Sequence, residues 1–232
     1  MLLLALCMPL TMEAKTSKYR LEAPAPPARF LNGFGVGVDG VGFGMKLAGA
    51  RFANMEVLGR INLLEKYFPV VELGVGSCER EGEEQNTVFR TSAPYYRVGM
   101  DYSLTKKRNG NRLFLGLRYG FSHFGYDYSN PDFKDPYWEL PAQTGTEVTD
   151  IKASMHWLEI GLGIETRLWS FVRMGWSFRY KSRLKQTSCP HGDPWYVPGY
   201  GKNGGTTFGG TVNLIFELQP KAAMKYKNKL LK

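Results

Sequence analysis

The chain has 232 residues, 43% hydrophobic, with 27 glycines and a formal net charge of +9. That length suits one domain. It contains no run of 18 apolar residues, which excludes a membrane-crossing helix but not a barrel strand, since a strand crosses with only ~9–11 residues, half of them polar. The basic excess sits at the ends, in Lys15, Lys18 and Arg20 and in Lys221, Lys225, Lys227, Lys229 and Lys232, so no basic groove is indicated and nucleic acid is not expected as a partner.

Residues 1–14, MLLLALCMPLTMEA, form a short apolar segment ending in a small residue, as in a secretory signal peptide, although the basic n-region is missing. Leu4-Ala5-Leu6-Cys7 is a poor lipoprotein acylation site, because Leu6 is bulky where a small residue is usual. Residues 15–32 include APAPP, which lacks the amide donors for regular structure and is expected to be a periplasmic spacer. Residues 219–232 form a basic tail. Cys78 and Cys189 both fall in expected loops; a disulfide in an oxidising compartment and two separate thiols both stay open.

Between 33 and 218 the chain divides into about eight runs of period two, the repeat of a strand. Gly33–Leu47 alternates but changes parity at Asp39-Gly40, which predicts one strand with a β-bulge. Glu56–Leu64 follows. A third run opens on Pro69, where its missing N–H costs least. Tyr95–Leu104 and Leu113–Phe124 flank Asn109-Gly110, a strong hairpin turn. Trp157–Leu168 and Val172–Lys181, joined by the turn Trp169–Phe171, form the clearest hairpin, and Thr207–Leu218 closes the set.

On runs two to eight one row is apolar and carries no charge, in a chain that is 22% charged overall. The opposite row holds Glu56, Arg60, Glu72, Arg97, Asp101, Arg118, Glu159, Glu165, Arg167, Arg173, Arg179 and Glu217, with Lys181, and is close to neutral as a set. A lipocalin-like soluble barrel would turn the apolar row inward; a membrane barrel would turn it outward. Glycine favours the second. Gly74, Gly99, Gly116, Gly120, Gly161 and others share the charged row, where they would only weaken a water-facing surface but would make room for long ionic side chains in a narrow lumen. The expected fold is therefore all-β, a single closed antiparallel up-and-down transmembrane β-barrel of eight strands, over 33–218. These charges are expected to form a lumen network. Turns after runs two, four and six are short and loops after runs three, five and seven are long, as in outer-membrane barrels. Tyr67, Phe68, Tyr95, Tyr102, Trp157, Trp169 and Phe171 lie near strand ends, where aromatic girdles sit.

TSAPYYRVGMDY (Thr91–Tyr102), KRNGNRLFLGLRYGFS (Lys107–Ser122) and PWYVPGYGKNG (Pro194–Gly204) resemble a Bacteroides-type family of unknown function whose members are expected to be outer-membrane β-barrels. The resemblance runs from about Asn32 to Leu218. It implies bacterial outer-membrane localisation, with the lipid bilayer and the insertion machinery as partners, and implies no activity. The last strand ends IFEL and continues into the basic tail, where many such barrels stop on an aromatic residue.

A structural or surface-interaction role through the long loops, without catalysis or cofactor, is the leading reading. Trp195, Tyr196 and Tyr200 in the Pro-rich loop are the expected surface contact. A small channel and a lipid-modifying enzyme using Ser154 and His156 are alternatives, the latter without an acidic partner. Asp132 with Asp135, and Cys189 with His191, are too few ligands to establish a metal site.

Overall fold

The computed structural model describes residues 30–49, 52–81, 88–105, 111–130, 146–169, 171–187 and 193–218. The expected leader, most of the spacer, the tail, the Asn109-Gly110 turn and the residues Asp132, Asp135, Cys189 and His191 lie outside them. The strands are β1 (Leu31–Asp39), β2 (Phe52–Leu63), β3 (Tyr67–Glu81), β4 (Val88–Ser103), β5 (Arg112–Asn130), β6 (Thr146–Arg167), β7 (Val172–Gln186), the short β8 (Tyr196–Val197) and β9 (Gly201–Lys202), and β10 (Thr206–Leu218). Eight of them close an antiparallel barrel in the order β1-β10-β7-β6-β5-β4-β3-β2, with β8-β9 as a separate ribbon. Each neighbour in sequence is a neighbour in space, except that β8 and β9 lie within the β7–β10 connection.

The ends of β1 and β10 meet, with Phe34 opposite Leu218. The same end carries the β2–β3, β4–β5 and β6–β7 connections. At the first of these, Leu64 and Glu65 both adopt positive φ (55° and 56°), and the Lys66 amide donates to the Leu63 carbonyl. This is a two-residue turn of the mirror type that matches strand twist, built without the glycine or asparagine that normally relieves it. The Asn62 side chain accepts from the Glu65 amide at 3.1 Å and helps hold it.

The first run is not one bulged strand. β1 stops at Asp39 and a helix, α1 (Gly40–Leu47), follows. Asp39 is the physical reason: its Oδ1 accepts from the Val41 amide at 3.0 Å, an N-cap that ends the strand and starts the helix. The period-two look of VGFGMKL comes from alternate glycines, which mimic a polar row. At Gly42 only glycine fits, because an added Cβ would lie 1.3 Å from the Asn54 carbonyl oxygen of β2. Since β1 ends opposite Asn213 on one side and Val57 on the other, Thr206–Val212 of β10 and Phe52–Glu56 of β2 run on without a β1 neighbour. The sheet is thus incomplete at the end away from the termini, where α1 lies against β2 and β10.

The remaining strands extend well beyond the expected runs, chiefly at that same end. β6 reaches back to Thr146, and β5 runs on to Asn130. Much of what reads as long loop is strand. On the outside of the lower barrel the apolar row is exposed, with Leu162 at 55%, Leu117 at 53% and Phe178 at 60%. It does not line the lumen, as a lipocalin-like barrel requires. Two aromatic belts bound it: Tyr67 against Tyr102 (5.4 Å), with exposed Trp169 and Phe171, on the termini side, and Tyr96 against Phe121 (5.2 Å) and Tyr180 against Phe208 (5.3 Å) on the other.

Above the second belt the pattern inverts without any change of parity. On β5, Phe124 and Tyr126 now point inward and are buried, while His123 and Asp127 point out. On β6, Ile151, Ala153 and Met155 are buried and Lys152 is exposed; on β4, Phe89 and Ala93 are buried and Arg90 is exposed. Together with Cys78 these make an ordinary apolar core inside the upper barrel.

Candidate functional site

The candidate site is the lumen, because alternation aims every second side chain of each strand at the axis. Two ionic clusters fill its middle and lower sections. The upper cluster centres on Glu72, whose relative exposure is 0%. Its carboxylate accepts from Arg118 Nε (2.7 Å), Arg97 Nη1 (3.0 Å), Arg179 Nη1 (2.8 Å) and Arg179 Nη2 (3.0 Å). Arg97 also donates to Glu56 and lies 2.9 Å from Glu159. Arg118 pairs with Asp101 at 2.9 Å. In the lower cluster Arg60 donates to Glu165, while Arg173 Nε (2.6 Å) and Arg112 (3.0 Å) bind Glu217.

Strand register accounts for some of these partners, and others, such as Arg60 with Glu165 and Arg179 with Glu72, reach across the lumen. Glu72 lies directly opposite Arg97, and Arg112 lies opposite Glu165, 3.6 Å away. Glycines between them keep the axis open to long side chains. A Cβ at Gly116 would lie 2.4 Å from the Arg118 guanidinium, and one at Gly120 would lie 2.3 Å from the Trp157 indole. The upper cluster balances, with Arg97, Arg118, Arg179 and Lys181 against Glu56, Glu72, Asp101 and Glu159. Such balance is what allows so many ions to be buried, since an uncompensated one would be strongly destabilising.

The structure brings eleven of the twelve expected lumen charges into the two clusters. Arg167 is the twelfth; it is only half-buried at the turn end of β6. Arg112 was not among the expected set, because it precedes the first recognised residue of its run, yet it bridges Glu165 and Glu217.

The aromatic expectations divide. Phe68, Tyr95 and Trp157 are not girdle residues: they point inward and are buried to 2%, 1% and 0% exposure. Each serves the ionic lumen. Tyr95 donates its hydroxyl to Glu56 at 2.9 Å, Trp157 donates Nε1 to Glu159 at 2.7 Å, and Phe68 lies under the Arg60 and Arg112 guanidinia. Position near a strand end does not reveal side-chain direction; register does.

The Pro-rich loop is not the exposed contact expected of it. Tyr196 and Tyr200 are buried, together with Val197, and only Trp195 is part-exposed. The segment folds down into the upper lumen and caps the ionic cluster. Arg97 Nη2 (2.9 Å) and Lys181 Nζ (2.7 Å) both donate to the Gly199 carbonyl, and Lys181 also donates to that of Tyr200 (3.1 Å). Gly199 takes positive φ against the Tyr95 ring, where a Cβ would lie at 2.4 Å. Tyr196 donates to Asn54 at 2.7 Å, and burial pushes its phenol up to about 12, so it stays a neutral donor.

Ser154 and His156 both lie on the outward row of β6. The Ser154 hydroxyl bonds Thr187 (2.7 Å) and His156 Nδ1 bonds the Tyr119 hydroxyl (2.7 Å), so each is engaged elsewhere and the two are not linked. Cys78 is buried in the upper core as a free thiol.

Fold and lumen define a class: a closed eight-stranded antiparallel barrel with an apolar outer band, an ion-paired interior and an inserted loop. The chain belongs to the family described as domain of unknown function DUF6048, whose model matches residues 2–217. No curated protein matches it, and no solved structure does.

Proposed function

We propose that the protein is a bacterial outer-membrane β-barrel that acts as a non-enzymatic structural and surface-interaction module, presenting its strand extensions and loops outside the membrane. One observation carries this reading. On β4, β5 and β6 the apolar row faces out below Tyr96 and Phe121 and faces in above them, at constant parity. A strand that keeps one solvent along its length has no reason to invert. A strand that leaves lipid for water has one, because its outward side chains exchange hydrocarbon for solvent at that level. The two aromatic belts fit the two interfaces of such a bilayer. The absence of a helix long and apolar enough to cross a membrane among the described residues is compatible with this, since barrels cross with strands.

A conducting role is less well supported than a closed one, because Glu72, Arg97, Arg118 and Arg179 join across the mid-lumen and the Tyr196–Tyr200 segment lies on top of them. The test is solubility and mobility. The full chain, refolded in detergent, is expected to migrate faster on gels unheated than boiled and to precipitate when detergent is removed. A chain that stays folded and monomeric in plain buffer would overturn the proposal.

A further inference from the structure

The gap left where β1 stops opens onto a cavity of about 300 Å3, at the small end of the ~300–1,000 Å3 range of ligand pockets. The consecutive residues Thr207 to Thr211 all line it. Residues of both parities line a cavity only where the strand's main-chain edge, not one face, forms the wall, so the edge of β10 that faces away from β7 and lacks a β1 partner supplies donors and acceptors there. The opposite wall comes from Phe52 and Glu56 of β2, and the floor from the ionic cluster.

Three features define what this cavity would hold. First, Glu56 is 5% exposed, its Oε2 is taken by Tyr95 and Arg97, and its Oε1 has no hydrogen-bond partner, the nearest guanidinium nitrogen of Arg179 being 3.9 Å away. A buried carboxylate oxygen left this way calls for a donor. Second, the lumen cations of the lining are already engaged: Arg97 pairs with Glu56, Glu72 and Glu159, Arg179 pairs with Glu72, and Lys181 donates to the Gly199 and Tyr200 carbonyls, while Asp39 and Lys202 add one charge of each sign. The cavity is therefore not an anion site. Third, aromatic surface is at hand. Phe52 and Phe208 are 52% and 64% exposed, and Trp195 presents a ring whose other face is held by Arg80 at 4.1 Å.

A carboxylate acceptor, a strand edge offering both donors and acceptors, aromatic faces and lumen cations already engaged suit a neutral polyhydroxylated ring. We propose that the cleft between β2 and β10 is a binding site for an uncharged sugar, its hydroxyl donating to Glu56 Oε1 and its C–H face lying on the aromatic rim. The sugar has two possible sources, a free glycan or the head of a glycolipid. Phe208 belongs to the upper aromatic belt, which places the opening at the level of lipid headgroups if the membrane reading holds. The site itself does not depend on that reading.

The test uses the full chain folded in zwitterionic detergent, with folding verified by gel mobility. Maltose and octyl glucoside, the latter below its own micelle-forming concentration, are titrated while tryptophan emission is followed. The expected result is a saturable change that disappears in Trp195→Phe. Saturation by both probes assigns a free glycan, and saturation by octyl glucoside alone assigns a glycolipid head; either supports the site. Thr207→Phe, which fills the cavity from its rim, is expected to abolish the response. Glu56→Gln is expected to weaken binding about tenfold or more, the cost of losing a hydrogen bond to a charged acceptor. No saturable response to either probe, or unchanged binding in Thr207→Phe, would overturn the inference. Since the folded state is verified in detergent, that failure would be distinct from a chain found soluble without detergent, which overturns the membrane reading alone.

Discussion

Replacing Glu72 by glutamine removes one negative charge from the centre of the upper cluster while keeping its size. Three arginines then converge on a neutral amide, and a cluster of four positive and four negative groups becomes four and three. All the partners are buried, at 5% exposure or less. Breaking a buried ionic arrangement on one side costs about 3–5 kcal/mol, because the remaining charge keeps its desolvation penalty. With a urea slope of ~2 kcal/mol per molar, the unfolding midpoint is expected to fall by roughly 1.5–2.5 M. Urea titration of the detergent-folded barrel by tryptophan emission measures this. Glu72→Gln combined with Arg179→Met restores balance at three and three and is expected to recover at least half of the loss. The reference is Glu79→Gln, which breaks an exposed pair with Arg90 (side chains 53% and 62% exposed) and is expected to cost no more than about 1 kcal/mol. If Glu72→Gln costs no more than Glu79→Gln, the lumen is hydrated and the clusters do not act as buried ions.

Leu64→Asn with Glu65→Gly is expected to stabilise the barrel by about 1–2 kcal/mol, since both positions hold a positive φ that L side chains disfavour; the same urea titration reads it, and a lower midpoint would refute the turn geometry. Gly120→Ala is expected to destabilise by about 1–3 kcal/mol, because its methyl meets the Trp157 indole, and to shift tryptophan emission; a neutral effect would mean that the indole moves freely. Leu162→Arg is expected to cost about 2–4 kcal/mol for a side chain in mid-bilayer, measured by folding into liposomes at increasing urea; an effect within ~0.5 kcal/mol would mark that face as wet.

The middle of the fold was legible from sequence because lipid and lumen impose opposite demands on adjacent residues. The uncharged row through Leu158, Ile160, Leu162 and Ile164 could only be one face of a strand, and the matching row of arginines and glutamates with glycines between them could only be a crowded interior. What was not legible has specific causes. The strands appeared to stop at Phe124 and Trp157 because the pattern there changes sign instead of ending, and a search for apolar-out alternation does not follow apolar-in alternation. Gly40 to Leu47 looked like strand because glycine stands in for a polar residue in a period-two pattern, while the capping role of Asp39 shows only once the Val41 amide is seen to bond it. Tyr196 and Tyr200 looked exposed because rigid prolines and aromatics also describe a plug; what turns them inward is the reach of Arg97 and Lys181 to the Gly199 carbonyl, a contact between distant parts of the chain. The sugar cleft had no sequence signal, since it arises from the absence of a strand.

The sign change along a single strand offers the most direct test of the whole account. Leu162 and Lys152 lie on the same outward row of β6, one within the apolar band and one above it. With a nitroxide spin label at each position in turn, in protein folded into liposomes, collision rates with oxygen and with a water-soluble nickel chelate are compared. The account predicts oxygen-dominated relaxation at 162 and nickel-dominated relaxation at 152. Equal access of the nickel chelate to both sites would contradict it.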